Sequence, residues 1–132
     1  MNTSLPLNQP PSGARWAGRI LSGLVVAFMI FDLVGKLLVI QPVIDAQTHL
    51  GFPINLSMTL GLIEIVCLAL YLAPPTTLLG ALLLTAYLGG ATAIHVRIGD
   101  PFYFPVLMGV LLWLGLFLRD ERFMAFLPAR RK

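Results

Sequence analysis

Four apolar stretches fill most of this 132-residue chain and leave room only for short connections. That feature restricts the fold more than any other. About 20 apolar residues wound as a helix satisfy their own backbone hydrogen bonds and cross the hydrocarbon core of a bilayer. The expected fold class is therefore all-α, a bundle of four transmembrane helices. Composition agrees: 58% of the residues are hydrophobic and 11% charged, against roughly 25% charged in soluble domains.

Proline and glycine divide the stretches into helices at about 16–40, 54–73, 76–96 and 102–118. Gln41-Pro42 ends the first, Pro74-Pro75 the second, and Gly99-Asp100-Pro101 the third. Pro105 falls in the first turn of the fourth, where a missing N–H does little harm. Residues 43–53 mix Asp45, Gln47, Thr48 and His49 with apolar positions, as a short interfacial or re-entrant segment would. The proline-containing start, 1–15, reads as an irregular cytoplasmic lead-in without the basic opening of a secretory signal. Residues 16–119 form the membrane domain, and 120–132 a basic tail with Phe123, Phe126 and Leu127 set to lie against anionic headgroups.

Arg15 and Arg19 open the first helix, and Arg119, Arg122, Arg130, Arg131 and Lys132 follow the fourth. The opposite side offers only Arg97, plus Lys36 near a helix end. The positive-inside rule then places both termini in the cytoplasm, for a multi-pass protein of a bacterial inner (plasma) membrane. The net charge of +3 sits at the ends rather than in a patch, which excludes a nucleic-acid interface.

Helices in lipid approach closely where their side chains are small. Thr77, Ala81, Thr85, Gly89 and Ala93 form a row at i+4 spacing in the third helix, with Gly80 and Gly90 beside it. Gly18–Ser22 and Gly23–Ala27 offer the same spacing in the first helix, and Ser57 and Gly61 lead to Glu64 in the second. The third helix is thus expected at the centre of the bundle.

Ionisable residues inside apolar segments are costly and mark functional sites by default. Asp32 and Lys36 are one helical turn apart and share a face. At a rise of about 1.5 Å per residue they lie roughly 22 and 28 Å from the cytoplasmic start, with Glu64 near the midplane of the second helix. His95 and Arg97 close the third helix at the outer interface. Two acids, two bases and one histidine thus fall in the outer half of the bundle. They make either a salt-bridge network that locks the helices or a polar pocket in which Glu64 or His95 exchanges a proton with a ligand. Cys67 is the sole cysteine, so a disulfide or dithiol relay within the chain is excluded. The two histidines, His49 and His95, lack ligand spacing, and no metal site is expected.

Several motifs resemble one family. Leu60-Gly61-Leu62-Ile63-Glu64, Leu70-Tyr71-Leu72-Ala73-Pro74, Leu79-Gly80-Ala81, the run Leu84-Thr85-Ala86-Tyr87-Leu88-Gly89-Gly90-Ala91 and His95-Val96-Arg97 look like the DoxX-like family of small four-helix membrane proteins. Trp113-Leu114-Gly115-Leu116 and Leu118-Arg119-Asp120 extend the likeness, which covers about 18–128. In that family some members are the small subunit of a thiosulfate–quinone oxidoreductase, and others are linked to oxidative-stress complexes. The resemblance implies an accessory subunit of a quinone-linked redox system, with quinone as the cofactor and a redox enzyme or a second copy as partner. A small proton-coupled transporter and a non-catalytic membrane scaffold are the alternatives. Whether the chain itself catalyses a reaction stays open at the level of sequence.

Overall fold

The computed structural model describes residues 12–124, and no strand occurs among them. Six helices follow one another: α1 (Ser12–Leu38), α2 (Gln41–His49), α3 (Leu56–Leu72), α4 (Thr77–Ile98), α5 (Tyr103–Arg119) and α6 (Glu121–Met124), with a 3-10 turn at Pro74–Thr76 leading into α4. The expected lead-in at 1–11, and Phe126, Leu127, Arg130, Arg131 and Lys132 of the expected tail, lie outside the described residues.

Two segments, Ser12–Leu38 and Pro74–Ile98, are long and apolar enough to cross a membrane. α3 and α5 are shorter apolar helices of 17 residues each. All four turn large apolar side chains outward, among them Phe31, Leu62, Leu82 and Leu114. Side chains of that kind have no favourable solvent but lipid, and the chain has the character of a helical membrane protein.

α1 packs on α3 and α5, and α4 packs on the same two helices from the opposite side. The four form a ring, so α4 is not at the centre as expected. Successive helices run antiparallel. A Cβ on Gly18, near the start of α1, would meet backbone atoms of Gly115 and Arg119 at the end of α5. Both ends of the described chain therefore share one end of the bundle, and α2 and the α4–α5 connection lie at the other. Val25, Met29, Leu68, Tyr71, Leu84, Leu112 and Leu116 fill the interior.

Where glycine meets backbone, the fold depends on it. Gly80 of α4 lies directly against the backbone of Leu70 and Tyr71 in α3, and Gly61 faces the Leu37 side chain of α1. Ala81 is fully buried. Thr85, Gly89 and Gly90 are exposed, however, and a Cβ on either glycine would meet nothing within 4 Å. A row at i+4 turns by about 40° at each step of a 3.6-residue helix, so its later members leave the face where it began. The buried face of α4 is instead Thr77, Gly80, Ala81, Leu84 and Leu88, in which spacings of three (77–80, 81–84) and four (77–81, 80–84, 84–88) are mixed.

Helix ends also move. α1 begins at Ser12, ahead of the expected Trp16, because no proline follows Pro11 until Pro42. It stops at Leu38, ahead of Gln41-Pro42, because Val39 takes a left-handed conformation (φ 50°) and the Ile40 N–H donates to the Gly35 carbonyl (3.3 Å). This is a helix stop usually built on glycine. A β-branched residue there is strained by about 1–2 kcal/mol. Val39→Gly should accordingly raise stability by about 1 kcal/mol, read as a higher midpoint of thermal unfolding in detergent. An unchanged or lower midpoint would show that the turn is relaxed. The segment 43–53 is helical as far as His49, as part of α2, which starts at Gln41 with Pro42 in its first turn. Beyond α5, the Arg122 guanidinium hydrogen-bonds to Asp120 and holds that carboxyl below the usual carboxylate range.

Candidate functional site

Three helices converge on the Lys36 ammonium. It donates to Glu64 Oε2 of α3 (3.0 Å), to Tyr87 Oη of α4 (2.6 Å) and to Asp32 Oδ2 one turn back in α1. An ammonium has three N–H donors, and all three are used. The Tyr87 hydroxyl, having accepted from Lys36, donates to Glu64 Oε2 (3.2 Å). Glu64 is 0% exposed, whereas the Asp32 side chain is 34% exposed. The backbone is fixed as well: the Ser57 hydroxyl donates to the Lys36 carbonyl (2.9 Å), tying the end of α1 to the start of α3.

The i, i+4 spacing explains why Asp32 and Lys36 pair. Antiparallel packing of α1 on α3, with Leu33 and Leu37 over Gly61, brings Glu64 to the same level. Packed between apolar helices, these charges attract one another more strongly than they would in water. It is also unequal. Two carboxylates share one ammonium, and Glu64 Oε1 has no partner.

The residues singled out by sequence do not all join. Arg97 is exposed and donates through Nη2 to the Leu50 carbonyl at the end of α2 (2.8 Å). The expected balance of two acids by two bases is therefore absent from the cluster. His95 is half-buried, and its Nδ1 lies 2.7 Å from the Ala91 carbonyl. A carbonyl only accepts, so Nδ1 carries the proton and the other ring nitrogen is an acceptor when the ring is neutral. Sequence reasoning missed Tyr87 as a site residue and treated Gln47 only as a polar position in the 43–53 segment. A phenolic hydroxyl near the middle of an apolar helix is the available signal for Tyr87.

Asp32, Lys36, Tyr87 and His95 open onto a cavity of about 410 Å³ bounded by α1, α2, α4 and α5, with Leu60 of α3. Its other walls are mainly apolar, with Phe28, Met29, Ile94, Phe104 and Met108 prominent. The Phe28 and Phe104 rings meet edge to face at 4.8 Å. Cavities of roughly 300–1,000 Å³ with a few convergent polar groups are the usual form of small-molecule sites.

A sequence model of the DoxX-like family matches residues 20–116. The chain belongs to the DoxX-like family. In this DoxX-like protein the matched segment holds Asp32, Lys36, Glu64 and Tyr87, and the cavity onto which Asp32, Lys36 and Tyr87 open. No curated protein and no solved structure matches the chain.

Proposed function

We propose that this DoxX-like protein is an accessory subunit of a quinone-linked redox system, and that the cavity holds the quinone headgroup. The observation that carries the reading is the Lys36-centred cluster, three of whose members, Asp32, Lys36 and Tyr87, lie in the wall of a mainly apolar cavity. A quinol needs that combination: an acceptor for its hydroxyl, which the partly exposed Asp32 carboxylate offers, and an apolar surround for ring and tail. Phe28, Met29 and Met108 supply adaptable apolar contact, and His95 supplies an acceptor for a quinol hydroxyl. Electrons belong to the partner enzyme; this chain positions the headgroup.

The same reading gives α1, α3, α4 and α5 as four spans of a bacterial inner membrane, with both termini in the cytoplasm and the cavity in the outer half. Arginines near both ends of the described chain support that orientation. The partner is a redox enzyme subunit or a second copy of this chain, within the lipid bilayer.

Purified protein titrated with a decyl-substituted benzoquinone should bind it, and His95→Ala should weaken binding about tenfold, the loss of one or two hydrogen bonds. Absence of binding to the wild-type protein would sink the quinone reading. Proton-driven flux in vesicles, above that of empty vesicles, would then favour a small transporter. The scaffold reading draws on one observation, that Lys36 has all three donors satisfied within the bundle. It expects neither binding nor flux.

A further inference from the structure

One polar residue in the cavity wall has no structural partner. Gln47 of α2 is 5% exposed, and neither Nε2 nor Oε1 of its amide has a hydrogen bond. Other buried polar groups are better served: Ser57 donates to the Lys36 carbonyl, Thr77 to the Ala73 carbonyl, and Ser22 accepts from Tyr71. A glutamine with both amide atoms buried and unpaired destabilises the protein that carries it. Were packing its only task, methionine or leucine would serve better at the same size.

Its placement is defined from three sides. Val43, Ala46, Gln47 and Leu50 all line the cavity, at helical spacings of three and four that make one face of α2. The Gln47 carbonyl accepts from the Phe52 N–H (2.9 Å), which closes the helix end behind it. Outside the cavity, the end of α2 is tied to α4 and its following turn by Arg97 on the Leu50 carbonyl (2.8 Å) and by His49 on Asp100 (2.6 Å). The end of α2 is therefore fixed over the cavity, with Gln47 buried in its wall rather than turned to solvent.

We propose that Gln47 is the ligand-recognising residue of this cavity, its amide pairing with a ring oxygen of a neutral quinone or quinol head. The inference rests on the quinone reading above and assigns it a residue. The chemistry selects a neutral head. The cluster beside Gln47 has two carboxylates to one ammonium, and that ammonium has no donor left for an anion. Gln47 offers an N–H to a quinone carbonyl and a carbonyl to a quinol hydroxyl, so it serves both states of the ligand. The surrounding aromatic and methionine side chains suit a flat conjugated ring.

The test compares the wild-type protein with Gln47→Met and Gln47→Leu, titrated in detergent with a decyl-substituted benzoquinone and with decylbenzene, which keeps the tail and lacks the oxygens. Both variants should bind the quinone about tenfold more weakly, as the loss of one or two neutral hydrogen bonds gives. Their binding of decylbenzene should be unchanged. Without ligand, their thermal midpoints should equal or exceed that of the wild type, whereas a structural role for Gln47 predicts a fall. Wild-type affinity for the quinone in Gln47→Met and Gln47→Leu overturns the assignment while leaving the quinone reading intact. Failure of the wild-type protein to bind the quinone overturns both.

Discussion

Lys36→Met should cost the folded protein about 3–5 kcal/mol, the usual loss when one partner of a buried ion pair is removed. The reason lies in what remains. Asp32 and Glu64 would face each other across the gap with no cation, and Glu64 is 0% exposed. Arg97, at the far end of α4, cannot take over, since it is committed to the Leu50 carbonyl that follows α2. The Tyr87 hydroxyl would remain as a donor to Glu64, which is too little for a carboxylate in an apolar bundle.

The measurement is an equilibrium unfolding curve in detergent for the single variant and for Lys36→Met/Glu64→Gln. If the loss comes from stranded charge, the double variant should recover much of it, and the two substitutions should be strongly non-additive. Acid should narrow the gap between Lys36→Met and wild type, since protonation removes the stranded charge. A Lys36→Met protein as stable as the wild type would show that the carboxylates do not depend on the ammonium. Lys36→Arg is not a neutral control, because a planar guanidinium cannot direct three donors toward Asp32, Glu64 and Tyr87 as an ammonium does.

The sequence revealed this cluster in part. Asp32 and Lys36 announce themselves by i, i+4 spacing, and counting residues along the second apolar stretch puts Glu64 near the midplane, bordering the outer half that holds them. Arg97 misled for the opposite reason: depth gives a level and says nothing of azimuth, and Arg97 lies two residues beyond His95, a rotation of about 200°. Tyr87 and Gln47 obey no spacing rule with their neighbours. Tyr87 meets Lys36 because α4 stands across the ring from α1, and Gln47 enters the wall because α2 lies over that end. Both facts belong to the tertiary arrangement. The small-residue row failed by accumulated angle: its first members, Thr77 and Ala81, are buried, and its later ones turn outward.

That angular drift sets up the second large effect, a contrast between glycines of one helix. Gly80→Ala should cost about 3 kcal/mol, at the upper end of the penalty for over-packing. The added methyl would overlap backbone atoms of Leu70 and Tyr71, which no rotamer change can move aside. Relief requires α3 and α4 to separate. Tyr71 then shifts with them, although its ring is fully buried, its hydroxyl reaches Ser22 of α1 (3.4 Å), and the Arg119 guanidinium of α5 sits 5.4 Å from its centroid. One methyl group therefore disturbs contacts in all four long helices. Gly89→Ala, nine residues along the same helix, meets nothing and should gain about 0.5–1 kcal/mol from alanine's better helix propensity. Unfolding of the two variants under one set of conditions separates close helix contact from a mere preference for small residues. Equal stability of Gly80→Ala and Gly89→Ala would mean that α3 and α4 do not touch backbone to backbone at Gly80. Glu64 and Tyr87, carried by those two helices, would then no longer be held at one fixed distance from Lys36.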